Sequence, residues 1–184
     1  PLYLKSFVST DANVGYVFSV IAFLFLFYTF CMKYLLKRIS KLTLLRFGFL
    51  GTAVTLLIFT ILTSIKQFFI LEIFRAFFLV ATSITLGLFI REYASIKSIG
   101  RTEGQYFTIL NVGFLLGPLF GGLLASAYSF NTVFVIASIP KFLIAGLLFI
   151  NPLKEDSLRQ QLHSFNLIDY IKNKQLVLVY LLQF

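Results

Sequence analysis

Five stretches of this sequence are each apolar for long enough to cross a lipid bilayer, and clusters of charge interrupt them. They run over about 14–32, 42–65, 68–90, 106–128 and 132–150. A hydrocarbon core of roughly 30 Å needs about 20 apolar residues at about 1.5 Å of helix each. Backbone groups in that core have no water to bond, so each run is predicted to be a helix. The chain is 59% hydrophobic and 12% charged, more apolar surface than a soluble domain encloses. The expected fold class is all-α, a polytopic membrane helix bundle.

The net charge of +9 raises the possibility of a nucleic-acid surface, but the positions of the charges speak for topology instead. Lys33, Lys37, Arg38, Lys41, Arg46, Arg91, Lys97 and Arg101 flank the ends after the first and third runs, and Lys154, Arg159, Lys172 and Lys174 follow the fifth. The opposite side holds only Lys5 and Lys66, the latter in a short connection, Lys66-Gln67. By the positive-inside rule the rich side is expected to be cytoplasmic, in a plasma or inner membrane, with no nucleic-acid partner.

Residues 111–125, NVGFLLGPLFGGLLA, place Gly113, Gly117, Gly121 and Ala125 four apart, on one face of a helix, with Gly122 widening the stripe and Pro118 beside it. Each interior glycine costs about 1 kcal/mol and a proline about 3 kcal/mol in a water-exposed helix. Within a bilayer, small residues instead let a second helix approach closely. The stripe reads as a helix–helix contact surface, and Pro118 as a bend within it. Pro140 reads as a static kink. Phe23, Phe25, Phe27 and Phe30 read as lipid-facing or packing residues.

Two charged positions fall inside the runs. Arg75 lies roughly 6 Å from the midplane of its helix, where a guanidinium costs about 2.5–3.5 kcal/mol unless it meets water or a partner. Glu72, at i−3 and nearer the outer surface, is placed to pair with it or to be solvated. Lys141 is mid-helix beside Pro140, with roughly 14 Å of apolar helix on either side. Snorkelling does not reach that far, so water, a carbonyl freed by Pro140 or an acid elsewhere must meet it.

Beyond Ile150, Leu158, Leu162, Phe165, Ile168 and Ile171 follow helical spacing among polar residues. Residues 152–175 are expected to form an amphipathic cytoplasmic linker after a bundle over 1–151, with Asp156 or Ser157 capping its start. Residues 176–184 are expected to begin another transmembrane helix. A chain that opens on Pro1 and stops within an apolar run reads as a fragment. Cys31 and His163 are each the single residue of their type, so neither an internal disulfide nor a metal centre is expected. No cofactor and no catalytic constellation is indicated.

Five runs, a polar connection and the start of a sixth resemble the second to seventh helices of a major facilitator superfamily transporter, mostly its amino-terminal six-helix bundle. Gly113-x-x-x-Gly117-Pro118-x-x-Gly121-Gly122 matches the family's helix-five motif at every defined position. That motif is associated chiefly with exporters that run as antiporters. The loop KYLLKRISKL is a degenerate form of the family's helix two–three motif. Arg38 and Lys41 keep basic positions, while Lys37 stands where a latching aspartate is usual. The helix-four motif keeps its arginine as Arg75, with Phe78 and Leu79 where glutamine and glycine are common.

The resemblance implies alternating-access transport of a small molecule, with protons as coupling ion and efflux favoured. Arg75, Glu72 and Lys141 are the candidates for the substrate or proton pathway, although the family's sixth helix, which would carry Lys141, is usually peripheral. The glycine–Pro118 stripe would be a mechanical seam against a second six-helix bundle. Uptake of a nutrient or metabolite is one alternative. A sensor or scaffold that keeps a transporter fold without transporting is another, and it is what the eroded loop would predict.

Overall fold

The computed structural model describes residues 11–94 and 99–150. They form five helices: α1 Asp11–Arg38, α2 Lys41–Phe59, α3 Ile65–Tyr93, α4 Ile99–Ala127 and α5 Phe130–Ile150. All five are long and apolar enough to cross a membrane, and no strand occurs among the described residues. The expected linker over 152–175 and the helix start over 176–184 lie outside the described residues.

Helix ends follow local chemistry more than the limits of the apolar runs. α1 gives way to α2 through Ile39 and Ser40 alone, and the Ser40 side chain caps α2 by accepting from the Thr43 N–H at 3.1 Å. α2 stops at Phe59 instead of running on to Ile65. Its last turn tightens, with the Thr60 and Ile61 amides donating to the carbonyls of Leu57 and Ile58 at 3.1 Å, and the Thr60 hydroxyl bonding Leu57 as well. Ser64 then caps α3 through the Gln67 N–H at 3.3 Å, while Gln67 Oε1 accepts from the Thr63 N–H at 3.0 Å. This reciprocal pairing, close to a capping box, draws Lys66 and Gln67, expected as the connection, into the first turn of α3. At the opposite end α3 and α4 extend past their apolar runs, where polar side chains find partners: Arg91 Nε reaches Glu103 Oε1 at 2.5 Å.

α3 and α2 are the centre of the bundle. α2 packs most extensively on α3 and then on α5; α1 packs chiefly on α3, and α4 touches α5 and α3 only lightly. Near the α1 start, Val14, Val17 and Ile21 meet Phe59, Phe68 and Leu71. In the middle, Met32 packs with Val80 and Ala81. At the basic end, Leu42 and Leu45 join Phe89 and Leu148.

The α2–α3 crossing is close because α2 offers no side chain at Gly48 and Gly51. A Cβ at Gly48 would strike the Thr82 hydroxyl and lie 3.2 Å from the Phe78 carbonyl and the Thr82 nitrogen. One at Gly51 would lie 2.5 Å from the Phe78 ring. The bulky Phe78 of α3 thus fills a hollow made by glycine on α2, the kind of small-residue contact that drives association in lipid. Buried Thr52 and Thr55 complete the surface and turn their hydroxyls back to the carbonyls of Gly48 and Thr52.

Candidate functional site

The ion pair within the membrane-length part of α3 lies beside an aromatic contact with α2 and α5. Glu72 and Arg75 are one turn apart on α3, and the guanidinium donates to both carboxylate oxygens: Nε to Oε2 at 2.7 Å, and Nη2 to Oε1. Glu72 is 1% exposed, so the expectation of a solvated carboxylate at the interface fails. The guanidinium neutralises it instead, which is how a charge survives burial in a low-dielectric interior. Arg75 also lies over the Phe59 ring of α2, 5.9 Å from its centroid. Phe59 in turn stacks on Phe134 of α5 at 5.3 Å and tilts against Phe68 of α3 at 5.5 Å. An aromatic wall therefore joins the three helices beside the ion pair.

Lys141 enters from α5. With Ser138, Ala145 and Leu148 it follows the three-and-four spacing of one helical face, and those three neighbours are buried. Lys141 itself is half-buried. No carbonyl beside Pro140, which lies within the continuous α5, accepts from it, and no carboxylate among the described residues forms a salt bridge with it. Phe134, on the same face of α5 as Lys141, reaches the Phe59 ring over which Arg75 lies.

The glycine motif lies elsewhere. Gly113, Gly117 and Pro118 are exposed on α4, as is every residue from Asn111 to Phe120. A Cβ at Gly113, Gly117 or Gly122 would meet nothing within 4 Å, and one at Gly121 would reach Val133 of α5 at 4.0 Å. The stripe is bare and unfilled among the described residues. α3 and α4 also enclose a cleft of about 260 Å³, lined by Ser83, Gly87, Leu88, Tyr106 and the paired Arg91 and Glu103.

At the basic end, Lys37 and Arg38 are exposed in the last turn of α1. Lys41 instead pairs with Glu92 of α3 and lies over the Phe89 ring at 5.3 Å. Arg46 donates to the Leu148 carbonyl of α5 through Nε at 2.9 Å and Nη2 at 2.7 Å. Sequence reasoning missed Glu92 and the Gly48–Gly51 seam. The repeat Gly48-x-x-Gly51-Thr52-x-x-Thr55 carried the signal for the seam; nothing local marked Glu92 as a partner.

A family model described as Major Facilitator Superfamily matches residues 1–184. No curated protein and no solved structure matches the chain. The match spans all five membrane-length helices, the half-buried arginine of α3 and the glycine motif of α4 together. The chain belongs to the Major Facilitator Superfamily, a family of secondary transporters built as multi-pass membrane helix bundles.

Proposed function

We propose that this bundle is the amino-terminal half of a proton-coupled transporter that exports a small molecule by alternating access. Substrate would bind near the midplane between this bundle and a second one that rocks against it. The bare stripe Gly113–Gly117–Gly121–Gly122 on α4 carries the reading. Every other helix buries part of its surface within the described bundle, whereas the α4 span buries none of its apolar window. A face smoothed by glycine and left open suits a moving helix contact, and its motif is the one associated with antiporters. Arg75 and Glu72 are the proposed pathway groups, and the basic ends are proposed to face the cytoplasm.

A second reading, a sensor or scaffold that no longer transports, draws on Lys37 in place of the latching aspartate. The Lys41–Glu92 pair speaks against it, because a basic position of the loop motif still ties α2 to α3 at that end.

The test uses the full-length protein in proteoliposomes with a pH-sensitive dye inside and imposed gradients of drugs, sugars and organic anions. Substrate-dependent proton movement that disappears in Arg75→Ala supports coupled transport with Arg75 in the pathway. Substrate flux with no proton movement overturns the coupling, and proton movement unchanged in the variant makes Arg75 structural.

A further inference from the structure

Two ion pairs join helices at the basic end, and their surroundings differ. Lys41 and Glu92 pair in a nearly closed site, with side chains 11% and 7% exposed. Arg91 and Glu103 pair between α3 and α4 with side chains 64% and 30% exposed, and both line the cleft of about 260 Å³ between those helices. A pair so open to its surroundings adds little to stability, and α4 packs only lightly on α3. The charges at this cleft are therefore poorly explained as a fastening.

From Arg91 to Ser83 the cleft follows α3 for about 12 Å, at about 1.5 Å per residue. Halfway along, Gly87 lines it with no side chain, and a Cβ there would meet nothing within 4 Å. On α4 the lining runs from Glu103 to Tyr106 and Phe107. The chemistry is graded: opposite charges at one end, then the Tyr106 phenol, the apolar Leu88 and Phe107, and the Ser83 hydroxyl at the far end. A pair of zero net charge favours neither a lone cation nor a lone anion, since each is attracted by one member and repelled by the other. It does favour a zwitterion. The contact takes Nε of Arg91 and Oε1 of Glu103 at 2.5 Å, whereas a guanidinium carries five donors and a carboxylate two acceptor oxygens. An oxyanion can approach Arg91 and an ammonium Glu103 so that each charge lies between two opposite ones.

We propose that this cleft binds a small zwitterion with an apolar body, the chemistry of an apolar α-amino acid. Its carboxylate meets Arg91, its primary ammonium meets Glu103, and its side chain lies along Leu88 and Phe107. A primary ammonium suits the site better than a quaternary one, because only the first donates to the carboxylate. The site is about 24 Å of helix away from Arg75. It stands whether or not the groups around Arg75 carry transport.

The test is thermal unfolding of the full-length protein in an uncharged detergent, at neutral pH and constant ionic strength. Phenylalanine is compared with phenethylamine, which lacks the carboxylate, and with hydrocinnamate, which lacks the ammonium. Tm is expected to rise with phenylalanine above its value with either analogue. Gly87→Leu, which puts a side chain into the open space at that position, is expected to remove the rise. Glu103→Gln is expected to reverse the order: hydrocinnamate, no longer repelled, should stabilise more than phenylalanine. Equal Tm with all three compounds in the unmutated protein overturns the site, whether or not the variants fold. So does a phenylalanine rise that survives Gly87→Leu, since it would arise elsewhere. An order unchanged in Glu103→Gln also overturns it, because the two charges would then not be reading the ligand.

Discussion

Lys41, the first residue of α2, is paired with Glu92, near the end of α3, and their side chains are only 11% and 7% exposed. A cation at a helix start opposes the helix dipole, and α2 has no acid of its own in its first turn. Glu92 supplies the missing negative charge from a neighbouring helix. The pair thus corrects a local electrostatic defect and fastens two helices with one contact.

Removing either partner takes one charge of the pair out of a nearly closed site. Glu92→Gln or Lys41→Ala is expected to destabilise the protein by about 2–4 kcal/mol, read as a fall in Tm. The exchange Lys41→Glu with Glu92→Lys should recover part of the loss, and a double variant no better than the singles would contradict the pairing.

Glycines of the two kinds should respond in opposite ways. Gly48→Ala pushes a methyl into the Thr82 hydroxyl and the α3 backbone, and overpacking of this sort costs about 1–3 kcal/mol. Gly117→Ala meets open space and gains helix propensity of up to about 1 kcal/mol. Thermal unfolding should therefore show the first variant weakened and the second unharmed. If α4 seats a moving helix through its stripe, Gly117→Ala should still slow transport by the full-length protein.

Arg46 reaches across from α2 to accept the role of a cap for α5, donating twice to the Leu148 carbonyl while lying over the Phe149 ring at 4.9 Å. Arg46→Ala should cost about 2 kcal/mol and speed amide exchange in the last turn of α5 more than elsewhere. Unchanged exchange there would show that the cap contributes nothing.

Glu72→Gln raises the charge at the α3–α5 junction without changing its shape. The variant should fold less stably than the parent, and adding Lys141→Gln should restore part of the difference. Additive losses in the double variant would mean that the two residues do not share one electrostatic site.

The apolar runs made the five helices legible, because spanning length is a local requirement that each segment meets within its own residues. Their ends were less legible. The stop at Phe59 depends on the tight turn at Thr60 and Ile61, and the start at Ile65 on the capping by Ser64 and Gln67, not on where apolarity fades. Arg75 and Lys141 stood out as charges that hydrocarbon does not tolerate alone. The aromatic wall beside Arg75 did not, since no pattern within α2 or α5 points at the other helix.

Sequence by itself determined the class of the fold, the number of described helices and which residues are chemically out of place in a membrane. Tertiary structure decided which faces meet: Phe78 over Gly51, Lys41 with Glu92, and the Phe59–Phe134 stack beside the Glu72–Arg75 pair. The reason is physical. A helix in lipid is apolar on all sides, so hydrophobic periodicity, which marks the inner face of a soluble helix, is nearly silent here. The choice of face falls to small-residue fit and to the pairing of a few charges, and both depend on partners distant in the chain.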